Sequence, residues 1–306
     1  MKGLPERVRV VEVGPRDGLQ SESKAIDTAA KIELINRLSS AGLPAIEATS
    51  FVSPRRIPQL ADAEEVLAGI DRRPGTDYPA LVPNLRGLER ALSSGVREIA
   101  VFTAASETFN RKNINAGIDE SLERIRQITG PALDADIRIR GYVSCVLGCP
   151  YEGRVRSDVV VEVAHRLLDA GCYEVSLGDT IGLGTPGEAR ALIDSVAAKI
   201  GMNRIAVHFH DTRGQALANV LACLQVGVAT VDASVAGLGG CPYAQGATGN
   251  LATEDLIYML HGMGLETGVD LDALVETGLF ISRALGRRPA SRLGQIAALA
   301  AGQDTI

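Results

Sequence analysis

Short runs of β-branched and aliphatic residues alternate with stretches whose apolar positions recur every three to four residues, almost from one end of the chain to the other. The runs at 8–13, 45–49, 80–82, 98–102, 137–143, 174–177, 205–209 and 230–234 predict eight strands. They read as continuously apolar rather than alternating, as strands covered on both faces do. Helical periodicity predicts helices over 28–40, 58–67, 87–93, 119–127, 159–170, 186–199 and 215–226. Eight strands with intervening helices predict the α/β class and, within it, a (β/α)8 TIM barrel. Beyond the eighth strand, 253–262, 271–285 and, more weakly, 296–301 predict additional C-terminal helices, which we assign to a cap or an oligomer contact.

Local punctuation agrees with this division. Asp27 or Thr28 can cap the first helix, which Gly42 follows, Asp158 can cap the helix that Gly171 ends, and Thr185-Pro186 puts proline at a first helical position. No low-complexity linker interrupts the 306 residues. The expected organisation is one domain over 1–306, with the barrel at about 7–250 and a helical extension at about 251–306.

Composition narrows the function classes. With 46% hydrophobic and 22% charged residues, a net charge of −6 and interleaved signs, the chain lacks the clustered basic face of a nucleic-acid binder. Aromatic residues make up 4% and tryptophan is absent, which disfavours a base-stacking platform. No apolar stretch reaches the roughly 20 residues that span a bilayer, so no membrane partner is expected. The five cysteines (Cys145, Cys149, Cys172, Cys223 and Cys241) lie within or beside apolar runs. That pattern predicts reduced thiols in a cytoplasmic compartment, with Cys145 and Cys149 as packing residues. The first residues enter a strand almost at once, so neither a signal nor a transit peptide is expected.

The chemistry concentrates at strand ends. His208 and His210, two of only four histidines, sit at positions i and i+2 of an extended run, so both imidazoles project to one face. In a parallel barrel, residues at the C-terminal strand ends converge on one mouth. There the chain places Arg16 and Asp17 after strand one, Glu47 in strand two, Asn84 after strand three, Asp179 after strand six and the histidine pair at the end of strand seven. Singly, Asp17 and Asp179 could be caps and Glu47 a structural partner of Arg16; together the set predicts a metal site. Imidazoles with carboxylate and amide oxygens suit Mg²⁺, Mn²⁺ or Zn²⁺, and no thiolate cluster points to structural zinc. The run Gly182-Leu-Gly184-Thr-Pro-Gly187 matches G-x-G-x-x-G but follows the sixth strand, so a tight turn or an acyl-CoA phosphate contact is favoured over a dinucleotide site. The glycine-rich stretch 234–250 has the composition of a mobile lid and carries a lone thiol, Cys241, which reads either as a buried turn cysteine or as a proton donor or nucleophile.

The stretches VEVGPRDGLQ (11–20), IEATSFVSP (46–54), RGYVSCVLGCPYEG (140–153), CYEVSLGDTIGLGTPG (172–187), HFHDTRGQALAN (208–219) and SVAGLGGCPYAQGATGNLATED (234–255) resemble the 3-hydroxy-3-methylglutaryl-CoA lyase family of DRE-TIM metallolyases, from Val11 to about Leu285. The resemblance implies a divalent cation, Mg²⁺ or Mn²⁺, held by Asp17, His208, His210 and Asn250. It implies catalytic roles for Arg16, Asp17, Glu47, Asp179, His208 and Cys241, with Glu47 and Asp179 orienting Arg16 and the outer shell. Arg16 would stabilise enolate charge and Cys241 would protonate the product carbon. Whether Asp17, His208 or a bound water takes the hydroxyl proton stays open. The implied reaction is retro-Claisen cleavage of an acyl-CoA, (S)-3-hydroxy-3-methylglutaryl-CoA, as in leucine and ketone-body metabolism, by a homodimer. A longer or branched 3-hydroxy-3-alkylglutaryl-CoA is the alternative substrate. The chain departs from animal members at Phe209 and Arg213, where those carry Cys and Tyr, and in its tail, AAGQDTI, which has neither a peroxisomal signal nor a regulatory cysteine.

Overall fold

The expected strands form one closed parallel barrel in the computed structural model, which describes residues 3–240 and 249–302. In chain order the strands are β1 (Arg9–Glu12), β2 (in two pieces, Ala45–Ile46 and Thr49–Ser50), β3 (Ala80–Leu81), β4 (Glu98–Ala104), β5 (Arg138–Ser144), β6 (Glu174–Asp179), β7 (Ile205–Phe209) and β8 (Thr230–Ala233). Each pairs in parallel with its sequence neighbours, and β8 returns to β1. Strand β2 closes the ring by bonding alternately to both sides: the Glu47 amide donates to the Glu12 carbonyl at 2.8 Å, and the Ala48 amide to the Pro79 carbonyl at 2.9 Å. A run expected as one strand over 45–49 is therefore split at Glu47 and Ala48.

Helices α1 (Thr28–Ser40), α2 (Ala63–Gly69), α3 (Leu85–Ser93), α4 (Glu107–Ile114), α5 (Ile118–Asp134), α6 (Ser157–Asp169), α7 (Pro186–Ile200), α8 (Ala216–Leu224), α9 (Thr253–Gly262), α10 (Leu271–Leu285) and α11 (Arg292–Ala300) surround the strands. The main core lies between the two layers. Outward-facing Ile139, Val143, Val175, Leu177, Val207 and Val231 pack there against Leu122, Ile128, Leu167, Ile193 and Val220 of the helices. The inside of the barrel is different. Arg140, Glu174, Ser176 and Asp232 are buried and bonded to one another within it.

Local signals explain most boundaries. Asp27 accepts a hydrogen bond from the Ala30 amide at 2.7 Å, as an N-cap should, and Gly42 turns the chain at a φ of 89°. Thr185 and Glu188 form a reciprocal capping box ahead of α7, whose first residue is Pro186. Three expectations change. The helix expected over 58–67 is a single 3-10 turn, Pro58–Leu60, followed by α2. Helix α6 starts after Arg156, so Asp158 sits inside the first turn, where it pairs with Arg156 rather than capping. Helix α5 runs well past residue 127 and carries Pro131 within it, because Ile128, Thr129 and Ala132 continue its buried face. Helix α4 has no apolar stripe to announce it; only Phe109 and Asn110 are buried, and its start rests on Ser106 accepting from the Phe109 amide at 3.1 Å.

Beyond β8 the backbone is held by two fully buried carboxylates. Glu12 Oε1 accepts from the amides of Gly14 (2.7 Å) and Val235 (2.9 Å), and its Oε2 from the Thr253 hydroxyl (2.7 Å). Glu254 accepts from the Ala236 amide (2.9 Å) and the Ser291 hydroxyl (3.1 Å), which pins Ala236 at a left-handed φ of 56°. Burial pushes the Glu254 carboxyl up to about 8, against the pull of the Ala236 amide. An unfolded glutamate titrates near ~4.3. Between those values the folded chain binds the extra proton, so this residue's contribution to stability falls as pH rises. Glu254→Gln keeps an acceptor for Ala236 and removes the titration. Its melting temperature should exceed the parent's by roughly 2–4 °C or more at pH 8, with the advantage gone at pH 4. Parallel pH profiles for the two proteins would refute this.

Candidate metal and substrate site

The C-terminal mouth of the barrel opens into a cleft of about 540 Å³, a size suited to a small-molecule ligand. Strand β7 delivers His208 and His210 to it on the same face, and the turn after β1 delivers Arg16 and Asp17. One ligand atom from each of Asp17, His208 and His210 lies within 4.8 Å of the others. Asn250 comes alongside through a bridge to His210, and its Nδ2 donates to Asp17 Oδ2 at 2.8 Å and to the Leu238 carbonyl at 3.2 Å. With the amide nitrogen so engaged, the amide oxygen is the donor atom Asn250 has left for a cation.

Protonation states suit the same purpose. Burial opposes ionisation of Asp17, but Arg16 at 2.7 Å and the two imidazoles hold its carboxyl down at about 2. Burial and the neighbouring His208 depress His210 to about 4. Its Nδ1 is buried with no partner among the described residues. An orphaned neutral imidazole beside an ionised carboxylate fits a divalent cation, which would take up the unpaired electron density. Burial also disfavours a charged His208, yet the hydrogen bond and charge of Asp232 outweigh it and raise its pKa.

Arg16 is buried beside Asp17. Its Nε donates to Glu47 Oε2 at 2.8 Å, with Nη2 2.7 Å from the same oxygen, and Nη1 donates to Asp17 Oδ1 at 2.7 Å. The guanidinium carbon lies 5.6 Å from the centre of the Tyr142 ring. Two of the five N–H groups, on Nε and Nη1, are thus hydrogen-bonded to carboxylates, which leaves N–H groups on Nη1 and Nη2 for an anionic oxygen. Glu47 is fully buried; desolvation raises its carboxyl pKa, while Arg16 opposes the rise.

The structure therefore brings together Arg16, Asp17, Glu47, His208, His210 and Asn250. Asp179 lies apart from them. It occupies the same strand face as Val175 and Leu177, and its oxygens accept from the amides of Leu183 (3.1 Å) and Gly184 (2.7 Å), which ties down the loop after β6. Asn84 caps α3 by accepting from the Gly87 amide at 2.9 Å, and it lines the cleft rim. Gly182 serves the tight turn: a Cβ there would stand 2.7 Å from the His210 carbonyl oxygen. Arg213 donates to the carbonyls of Ile181 and Gly182 at 2.8 and 3.0 Å, bracing that turn from outside the cleft. Cys145 and Cys149 pack as free thiols with Ala104 and Phe109. Cys241 lies outside the described residues.

The residues behind His208 lie outside the set expected at the strand ends. Asp232 Oδ2 lies 3.3 Å from His208 Nδ1 and accepts from Ser176 Oγ at 2.7 Å. Arg140 clamps Asp232 through Nη2 (2.7 Å) and Nη1 (3.1 Å), and its Nε donates to Glu174 at 2.7 Å. The available signal was a charge embedded in an apolar strand, Arg140 in 137–143 and Asp232 in 230–234.

Comparison with known proteins agrees along nearly the whole chain. A family model described as HMGL-like matches residues 7–281. The mitochondrial hydroxymethylglutaryl-CoA lyase of Gallus gallus is 58% identical over 294 residues, covering 96% of this chain and 99% of the relative. The crystal structure of hydroxymethylglutaryl-CoA lyase from Pseudomonas aeruginosa superimposes with a TM-score of 0.95 at 56% identity, covering 98% of this chain and 99% of that one. An HMG-CoA lyase from Acinetobacter baumannii, in complex with coenzyme A and 3-methylmalate, matches with a TM-score of 0.90 at 39% identity over 95% of each chain.

Proposed function

The chain belongs to the HMGL-like family, and from that premise we infer that it cleaves 3-hydroxy-3-methylglutaryl-CoA to acetyl-CoA and acetoacetate. The bond between the carbinol carbon and the thioester α-carbon breaks, the hydroxyl loses its proton as it becomes the ketone of acetoacetate, and the α-carbon gains a proton to give acetyl-CoA. The observation that carries this reading is the meeting of Asp17, His208 and His210 with Arg16 in one cleft, in a chain nearly 60% identical to lyases of this name.

A divalent cation, Mg²⁺ or Mn²⁺, would supply Lewis-acid polarisation of substrate oxygens. Asp17, His208 and His210 would hold it, with Asn250 as a fourth ligand. Asp17, held near 2, is a poor proton acceptor at pH 7, and His208 faces Asp232 through Nδ1 and would give its other nitrogen to the cation, which leaves a water molecule in the cleft to take the hydroxyl proton. Arg16 faces the charge that collects on the thioester as the carbon–carbon bond opens. Glu47 holds the guanidinium at two nitrogens and so fixes where that charge is met. Cys241 is assigned the protonation of the α-carbon, on the strength of its glycine-rich sequence context; an unperturbed thiol near ~8.5 is a competent acid for a basic enolate. Asp179 acts at a distance, through the loop it anchors. Assembly as a homodimer in the cytoplasm remains part of this proposal.

Substrate identity is tested by measuring acetoacetate or the equivalent oxo-acid released from a panel of 3-hydroxyacyl-CoA thioesters with methyl, ethyl and longer substituents at carbon 3. The 3-methylglutaryl compound should show the highest kcat/KM. A higher value for a longer or branched 3-alkyl compound would reassign the substrate.

A further inference from the structure

We propose that Asp232 is a positioning residue that sets the tautomer of His208, and that Arg140 holds that carboxylate in place inside the barrel. The proposal rests on the reading of Asp17, His208 and His210 as cation ligands and extends it to a residue outside the cleft.

Register brings the pair together. Strands β7 and β8 align His208 directly opposite Asp232, and the twofold alternation of side chains turns both into the barrel. Asp232 is 1% exposed, and burying an isolated carboxylate is costly unless it is paired and hydrogen-bonded. Both oxygens are provided for: Oδ1 takes Arg140 Nη2, and Oδ2 takes Arg140 Nη1, Ser176 Oγ and the His208 ring. Ionised, Asp232 has only acceptors to offer, so His208 Nδ1 must carry the hydrogen. The ring is then left with its lone pair on Nε2, the nitrogen not taken by Asp232.

The same arginine reaches the other half of the site. Arg140 Nη1 donates to the Tyr142 hydroxyl at 2.9 Å, and that hydroxyl lies 3.4 Å from Glu47 Oε2, which in turn grips Arg16. His208 and Arg16 are therefore oriented from one buried node. Arg140 has its Glu174 bond as a further anchor, which stops it from swinging toward either end. A carboxylate behind a metal-binding imidazole is worth about 10–100-fold in metal affinity.

The test begins with the parent protein stripped of metal by chelation. Long-range ¹H–¹⁵N correlation spectra resolve the tautomer of each of the four histidines, with His208 assigned from the His208→Ala variant. At a pH above the His208 titration, the expected result is a protonated Nδ1 and an unprotonated Nε2 on His208. A His208 ring protonated on Nε2 alone overturns the proposal without touching the ligand assignment. Mn²⁺ titration followed by electron paramagnetic resonance then compares the parent with Asp232→Asn. The variant should bind Mn²⁺ about 10–100-fold more weakly, and its His208 should lose the single-tautomer signature. Unchanged Mn²⁺ affinity together with an unchanged His208 spectrum would also overturn the proposal. If Asp232→Asn fails to fold, the parent spectrum alone decides the tautomer. Failure of the parent itself to bind Mn²⁺ would instead refute the underlying ligand reading, so the two failures are distinguishable.

Discussion

Arg16→Gln should lower kcat for 3-hydroxy-3-methylglutaryl-CoA by at least about 10²–10³-fold, the effect of deleting one donor to a developing oxyanion. The residue is 7% exposed and bonded to Glu47 and Asp17, so the loss has two physical parts. Glutamine cannot supply the guanidinium N–H groups that remain for an enolate oxygen. It also leaves Glu47 as a buried carboxylate without its cation, a change that costs about 3–5 kcal/mol of stability in comparable pairs. The two parts separate by experiment. Kinetics at a temperature where circular dichroism shows the variant folded report the chemical part, and the melting temperature reports the other. Arg16→Lys restores charge but not the planar fork that spans Glu47 and Asp17, so it should recover stability better than turnover. Turnover of Arg16→Gln within threefold of the parent would remove the guanidinium from the mechanism.

His210→Ala should weaken Mn²⁺ binding by more than about 100-fold, beyond the 10–100-fold that losing an outer hydrogen-bond partner costs. The imidazole is buried, neutral down to about 4 and without a hydrogen-bond partner at Nδ1 among the described residues. Its removal deletes a ligand that gives up no proton when a cation binds near pH 7. Asp17, ionised down to about 2, competes with no proton in that range either. His208 differs. Asp232 raises its pKa, so a cation must displace a proton there and affinity should climb as pH rises through the His208 titration. Isothermal titration of parent and variant between pH 5.5 and 8 measures both effects. Parent-like Mn²⁺ affinity in His210→Ala would break the ligand assignment.

The barrel was legible because its strands are apolar on the face that meets the helices, and eight such runs separated by helical periodicity admit few other folds. What stayed hidden has specific physical causes. Asp232 appears as a single charge in an otherwise apolar run, and Arg140 shares its strand and its parity with the exposed Arg138, so nothing in the pattern marks either one as buried inside the barrel. Only the register of β7 against β8 shows that Asp232 meets His208. Collecting polar residues at strand ends found Asp17, His208 and His210 but ignored parity, which separates Asp179 from the cleft by one position along β6. Helix α4 escaped notice because it buries only Phe109 and Asn110. Asn250 depended wholly on family resemblance, since it comes from the far end of the glycine-rich segment; the structure brings it to Asp17 at 2.8 Å.

The central claim is that a divalent cation held by Asp17, His208 and His210 enables carbon–carbon cleavage of 3-hydroxy-3-methylglutaryl-CoA. The most direct measurement gives that thioester to chelator-stripped protein, before and after addition of Mg²⁺ or Mn²⁺, and quantifies acetyl-CoA and acetoacetate together. Turnover should be absent without the cation, and equimolar products should appear once it is added. Equal turnover in the stripped protein, or no products with either cation present, would contradict it.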